Sequence, residues 1–248
     1  MGSEMCIRDS IAQKDARSRV IPAVAAEIAM RLLAAGRADE ALAAIDAIKE
    51  TRPGWIPFEW EAVRVNVLLA LDRQEDAQAF RWACFEETLN SDHLRAYLKE
   101  LPDFEDDEAE ARAHASALKF TDFNTALHFL VTWPALDPAA ELVVNRSEEI
   151  DGHHYELLTP AAELLNAKHP LAASLLLRGL IDFALNQSRV KRYPHAARHL
   201  RECSSLTSRI HDFGNAPDHK SYVDHLWSRH GKKTSLWAAV GPLTNRMT

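Results

Sequence analysis

The chain is poor in the residues that build sheets, phosphate loops and membrane spans. Only 8 glycines occur in 248 residues, too few for the regularly spaced turns of an all-β protein, and β-branched alternation is missing. The three cysteines, Cys6, Cys84 and Cys203, are far apart, odd in number and without CxxC spacing. That spacing supports neither a disulfide framework nor a zinc knuckle, and a reducing cytoplasm fits best. The longest apolar run, Leu171 to Leu177, ends at Arg178 and falls far short of the ~20 residues of a membrane span, so no membrane partner is expected. The opening decamer, MGSEMCIRDS, has no apolar h-region and no small-residue cleavage site. It reads as a non-native leader (1–10) ahead of a fragment, and the natural protein is expected to extend further upstream. GxGxxG, GxxxxGKS/T and GxSxG are all absent, which leaves no glycine loop to cradle a phosphate and no nucleophile elbow. No catalytic residue and no cofactor is assigned.

What is abundant is apolar and helix-forming. Hydrophobic residues make up 47% of the chain, enough to bury a core, and Ala and Leu dominate its long stretches, the residues that cost least in a helix. The segment VAAEIAMRLLAAGRADEALAAIDAIKETRP (24–53) is two amphipathic helices broken at Gly36-Arg37. Small Ala29 suits a close helix crossing, Ala41, Ile45 and Ile48 form the inner stripe of the second helix, and Pro53 ends the hairpin. This stretch resembles a tetratricopeptide repeat, with the turn glycine, the small alanine, the large apolar residue and the terminal proline at that family's relative spacings. Asp72-Arg73 followed by Ala77 repeats the Gly36-Arg37 to Ala41 relation 36 residues later, close to the ~34-residue period of such repeats. The turn glycine is gone from this second unit.

Beyond Asn90 the period fades while helical segments continue, over about 92–101, 106–118, 122–132, 138–149, 155–167, 170–187, 194–211 and 217–230. Prolines at 102, 134, 138, 160, 170, 194 and 217 read as helix boundaries. The expected architecture is all-α, a TPR-like helical-repeat (α-solenoid) array of antiparallel helix pairs. The acidic stretch Pro102 to Glu108 is the softest boundary, dividing TPR-like hairpins (11–101) from a C-terminal helical region (102–248) continuous with or packed on them.

Charge is unevenly spread. The formal net charge is −7, yet residues 189–233 hold ten basic and four acidic residues, so that segment is +6 and the remainder −13. Six of the twelve histidines lie in it. A basic face of this kind attracts nucleic acid, phosphate or an acidic protein surface, and the candidate anion- or partner-binding residues are Arg198, Arg201, Arg229, His230, Lys232 and Lys233. The alternative is that the basic segment packs against the acidic remainder of the chain. His195, His199 and Cys203 place three metal-capable side chains on one helix face, but the first and third Cα lie about 12 Å apart at 1.5 Å per residue, too far to share one ion. HAARH also lacks the glutamate of HExxH, and Cys203 with His199 has no third orienting group, so these residues stay weak candidates and no metal is committed.

The runs EDAQAFRWACFEETLNSDHLRAYLKELPDFEDDEAE (75–110), PLAASLLLRGLIDFAL (170–185) and YPHAARHLRECSSL with HKSYVDHLWSRHGKKTSLW (193–237) are similar to an uncharacterised prokaryotic family. Some of its members carry a SWIM-type zinc finger elsewhere. The resemblance implies a helical, TPR-like C-terminal region without an established activity. The finger's CxCx(n)CxH signature is absent from this sequence, so its zinc does not carry over. The functional expectation is a non-catalytic, cytoplasmic helical-repeat scaffold that binds a protein or peptide, with nucleic-acid or other anion binding through 189–233 as the alternative.

Overall fold

A computed structural model describes residues 22–48, 58–102 and 104–241. The protein is all-α: the described residues form thirteen α-helices and three short 3-10 turns, without a strand. The chain divides into two compact units, 1–109 and 110–248. Pro53, expected to end the first hairpin, and Cys6 lie outside the described residues. No helix among the described residues is long and apolar enough to cross a membrane.

The first unit contains α1 (Pro22–Ala34), α2 (Ala38–Asp46), α3 (Phe58–Ala70), α4 (Gln74–Thr88) and α5 (Ser91–Leu98). Successive helices pack on one another, and α1 also reaches α3, the arrangement expected when no hairpin can bury its apolar stripe alone. Ala29 and Ala41 are fully buried, so the smallest side chains stand where backbones approach, and Leu32, Ile45, Trp60 and Val67 fill the space around them. The two turns anticipated from the sequence share one geometry. Gly36 has φ +71° and Asp72 φ +57°. The Arg37 N–H donates to the Leu32 carbonyl at 2.9 Å and the Arg73 N–H to the Leu68 carbonyl at 3.0 Å, the backbone closure of a Schellman motif. Each arginine then reaches three residues forward to an acid, Arg37 to Glu40 at 2.6 Å and Arg73 to Asp76 at 2.7 Å. With aspartate in place of glycine at position 72 the turn is intact, because aspartate tolerates the left-handed region better than most side chains.

The helix α6 (Asp106–Lys119) runs across the division, with Asp106, Asp107 and Glu108 in its first turn, where carboxylates favour the helix dipole. The second unit continues with α7 (Phe123–Thr132), α8 (Leu136–Asn145), α9 (Tyr155–Leu165), α10 (Pro170–Asn186), α11 (Tyr193–Leu206), α12 (His219–His230) and α13 (Thr234–Val240). The helix α10 is central and packs on α8, α9 and α11. Its run LAASLLL is buried almost throughout, and Pro170 starts it.

One expectation changes, and one helix is new. Pro160 lies inside α9 rather than at a boundary. Gly231 stays right-handed at φ −57°, and the chain runs on into α13, a helix that the sequence pattern does not announce. Trp237 of α13 packs edge-on against Trp227 with ring centroids 4.7 Å apart, and its indole N–H donates to the His230 carbonyl at 2.9 Å.

Candidate functional site

The helix α10 buries a charge. Arg178 follows Leu175-Leu176-Leu177 and is 4% exposed, a position that costs several kcal/mol unless the guanidinium is matched. One nitrogen is matched: Nη1 donates to the Pro217 carbonyl at 2.7 Å. Nε and Nη2 are buried without a hydrogen-bond partner, and none of the ion pairs among the described residues includes this arginine. Aromatic faces flank it instead, Tyr222 at 4.6 Å and Phe213 at 5.7 Å from the guanidinium carbon to the ring centroid. Burial holds the guanidinium below its ordinary pKa.

The same side chain lines a cleft of about 890 Å³ within the second unit, a size typical of ligand sites. One stripe of α10 forms its floor, with Leu171, Leu175, Arg178, Asp182 and Phe183 at helical spacing. Phe213 to Pro217, the segment before α12, forms another side. The turn 150–152 crosses α10 at Gly179. A Cβ on Gly152 would overlap the Gly179 carbonyl, and a Cβ on Gly179 would overlap the Ile150 side chain, so this pair of glycines sets how closely the turn lies on the helix.

Asp182 stands one turn beyond Arg178 and accepts a hydrogen bond from the Tyr222 hydroxyl at 3.0 Å. Burial raises its carboxyl above the usual carboxylate range, against the lowering effect of the Tyr222 hydroxyl and of His225, Arg178 and Arg229. The Tyr222 hydroxyl also lies 3.3 Å from the Arg178 carbonyl, and burial pushes its own pKa well up. Nearby, Ser174 Oγ and His219 Nδ1 are buried without partners as well, and burial lowers the His219 pKa. The cleft therefore combines a desolvated cation on its helical floor with exposed carboxylates, Glu148 and Asp151, elsewhere in its lining. A ligand that satisfies both carries a negative and a positive group.

The residues singled out from the sequence fall in two groups. Arg198 and Arg201 are exposed on α11. Arg198 lines a second cleft of about 510 Å³ with Tyr155, Lys191, Arg192, His195 and His199. Arg229, His230, Lys232 and Lys233 sit at the end of α12 and just beyond it. Arg229 and Lys232 are exposed, but Lys233 is committed to the fold, its ammonium donating to Ser188 Oγ and to the Tyr193 hydroxyl, each at 3.0 Å. His230 is partly buried, and burial followed by Lys233, Arg229 and His225 lowers its pKa.

His195 is exposed while His199 and Cys203 are buried, and these three do not converge as a metal-ligand group among the described residues. Burial, with Arg198 and His195 adding to it, lowers the His199 pKa to about 4; the Glu202 carboxylate, 3.9 Å away, is beyond hydrogen-bond reach. The Cys203 thiol points at the Ser174 carbonyl 3.7 Å away, and burial pushes it up to about 11, the reverse of an activated nucleophile. Sequence reasoning misses Arg178 and its cleft. The available signal is a lone arginine inside an apolar helix, which by itself argues only against a membrane span.

The chain matches the family of unknown function DUF6880 over residues 6–239 and belongs to that family. Neither a curated protein nor a solved structure matches it.

Proposed function

We propose that the protein is a non-catalytic binding scaffold whose second unit captures a peptide segment of a protein partner bearing both an acidic and a basic group. The observation that carries this reading is the buried Arg178 guanidinium, with Nε and Nη2 unpartnered beside a cleft of about 890 Å³. A carboxylate received there makes charge-assisted hydrogen bonds in a low-dielectric setting, while Glu148, Asp151 and Asp182 receive the cation. Leu171, Leu175 and Phe213 offer apolar contact between the two. In the same reading the chain is a TPR-like repeat protein of a reducing cytoplasm and a helical companion of SWIM-finger proteins. The matched turns at Gly36 and Asp72 support the first part and the buried free thiols Cys84 and Cys203 the second.

The test is calorimetric titration of three hexapeptide libraries, one with an Asp and a Lys, one with Asp alone and one with Lys alone. Saturable binding of the mixed library alone is expected, abolished by Arg178→Met with apo stability within about 1 kcal/mol of wild type, since relieved burial of the charge offsets the lost Pro217 bond. Equal binding by wild type and Arg178→Met overturns the reading.

A second reading, phosphate or nucleic-acid binding, is favoured by the convergence of Lys191, Arg192, His195 and Arg198 on one cleft. It predicts oligonucleotide affinity that falls steeply with salt and is insensitive to Arg178→Met.

A further inference from the structure

The first unit holds a different constellation. Glu61 stands in the first turn of α3, Cys84 in the second half of α4 and His93 in the first turn of α5. Among the described residues they are the one group of histidine, cysteine and carboxylate side chains whose ligand atoms converge, all within 4.8 Å of one another. His93 Nε2 lies 2.6 Å from Glu61 Oε2, and the two side chains are 5% and 13% exposed. Cys84 is buried and unpaired, and the Phe58 ring closes over His93 with centroids 5.1 Å apart. Three ionisable groups buried together at the junction of three consecutive helices call for a reason beyond packing.

We propose that Glu61, Cys84 and His93 form a zinc site, in which one carboxylate oxygen, one thiolate and one imidazole nitrogen hold a single Zn²⁺ and leave its fourth position to water. The donor set selects the metal class. Sulfur and nitrogen ligands suit zinc and its borderline neighbours, whereas calcium and magnesium take oxygen shells. The spacing is near what a tetrahedral ion needs: bonds of ~2.0–2.3 Å put ligand atoms about 3.3–3.7 Å apart. The 2.6 Å approach of His93 to Glu61 opens by under about 1 Å on binding, and the widest separation closes by about as much, within the reach of side-chain rotation.

A thiol nucleophile is the competing use of these residues, and the order of contacts opposes it. His93 is bonded to Glu61, so the carboxylate lies where a thiol–imidazole pair would need the thiol. Burial, then Glu61 and Glu87, hold the proton on Cys84 and push the thiol up to about 12. Zinc uptake displaces that proton to solvent and replaces it with a Zn–S bond. The ion then ties α3, α4 and α5 together through one ligand from each, and the site is independent of the cleft in the second unit.

Cobalt reports the site directly, because a thiolate–Co²⁺ bond gives a charge-transfer band in the near ultraviolet that carboxylate and imidazole do not. Full-length protein, stripped with chelator and dialysed, is titrated with Co²⁺ and then with Zn²⁺. One equivalent of Co²⁺ with the band, its displacement by Zn²⁺, and a rise in Tm on adding Zn²⁺ are expected. Cys84→Ser should lose the band, His93→Ala and Glu61→Gln should weaken Co²⁺ binding at least tenfold, and Cys203→Ser should behave as wild type. Helicity by circular dichroism separates ligand loss from unfolding. The wild-type titration stands without any variant: no Co²⁺ uptake, or uptake without the band, overturns the proposal, as does a band that survives Cys84→Ser.

Discussion

The two units place ionisable groups inside an Ala/Leu-rich helical core differently. In the first, His93 and Glu61 meet at 2.6 Å with Cys84 beside them, so three ionisable side chains are gathered at one place, while Trp60 Nε1 and Arg64 Nε stay buried without a hydrogen-bond partner. In the second, Arg178, Ser174, His199 and His219 each keep at least one buried nitrogen or oxygen without a hydrogen-bond partner. Buried polar groups cost most when unmatched. The first unit gathers its buried ionisable groups into one cluster, and the second keeps a single buried guanidinium apart from any ion-pair partner. The apolar pattern that makes the helices is common to both, so what distinguishes the units is where their buried ionisable side chains stand rather than the class of fold.

The sharpest way to break the second unit alone is Gly152→Ala. Its new Cβ meets the Gly179 carbonyl, which is backbone and cannot swing aside, and a loss of about 3 kcal/mol is expected. Urea unfolding followed by near-ultraviolet circular dichroism checks it; an unchanged midpoint shows that the turn is free to lift off α10.

Acid is the next discriminator. The His199 pKa falls from 6.5 to about 4 on folding, so between those values the unfolded chain binds the extra proton and stability drops as pH falls through the window. The full loss approaches about 3 kcal/mol, complete below the folded value. His199→Gln should flatten the dependence of the urea midpoint between pH 6.5 and 4. A slope equal to wild type would assign the acid sensitivity to another group.

The smallest effects separate the two turns of the first unit. Gly36 has open space where a Cβ would go, so Gly36→Ala pays only the left-handed conformation, about 1 kcal/mol. At the equivalent position Asp72→Gly removes that strain and should stabilise by roughly 0.5 kcal/mol. Thermal unfolding of both variants reads the signs; like signs would mean that the two turns are not equivalent.

Much of the architecture is legible in the sequence. The helical class follows from Ala, Leu and the scarcity of glycine, and the Gly36-Arg37 and Asp72-Arg73 turns follow from a spacing because a Schellman closure is a local event. Helices 170–187 and 217–230 match the observed elements nearly to the residue, being bracketed by Pro170 and Pro217. The chemistry is not legible, for a physical reason. Residues 61, 84 and 93 share no motif, since three helices bring them together, and the unpartnered nitrogens of Arg178 are a property of what surrounds the side chain. The last described helix, α13, is hidden because it is only seven residues long and is anchored by the Trp227–Trp237 ring contact rather than by a pattern in its own sequence.

The backbone closure at the end of α1 recurs at the ends of α3, α7 and α10, where the N–H groups of Arg37, Arg73, Ala135 and Arg189 reach back five residues to a carbonyl. A joint closed by main-chain hydrogen bonds asks little of the side chains beyond one residue that accepts a left-handed backbone. Four different residues, Gly36, Asp72, Pro134 and Ser188, hold the positive φ at these joints, so no single residue type specifies the bend. The position of each bend is thus written in the backbone ladder, and the side chains around it are left to serve packing and charge.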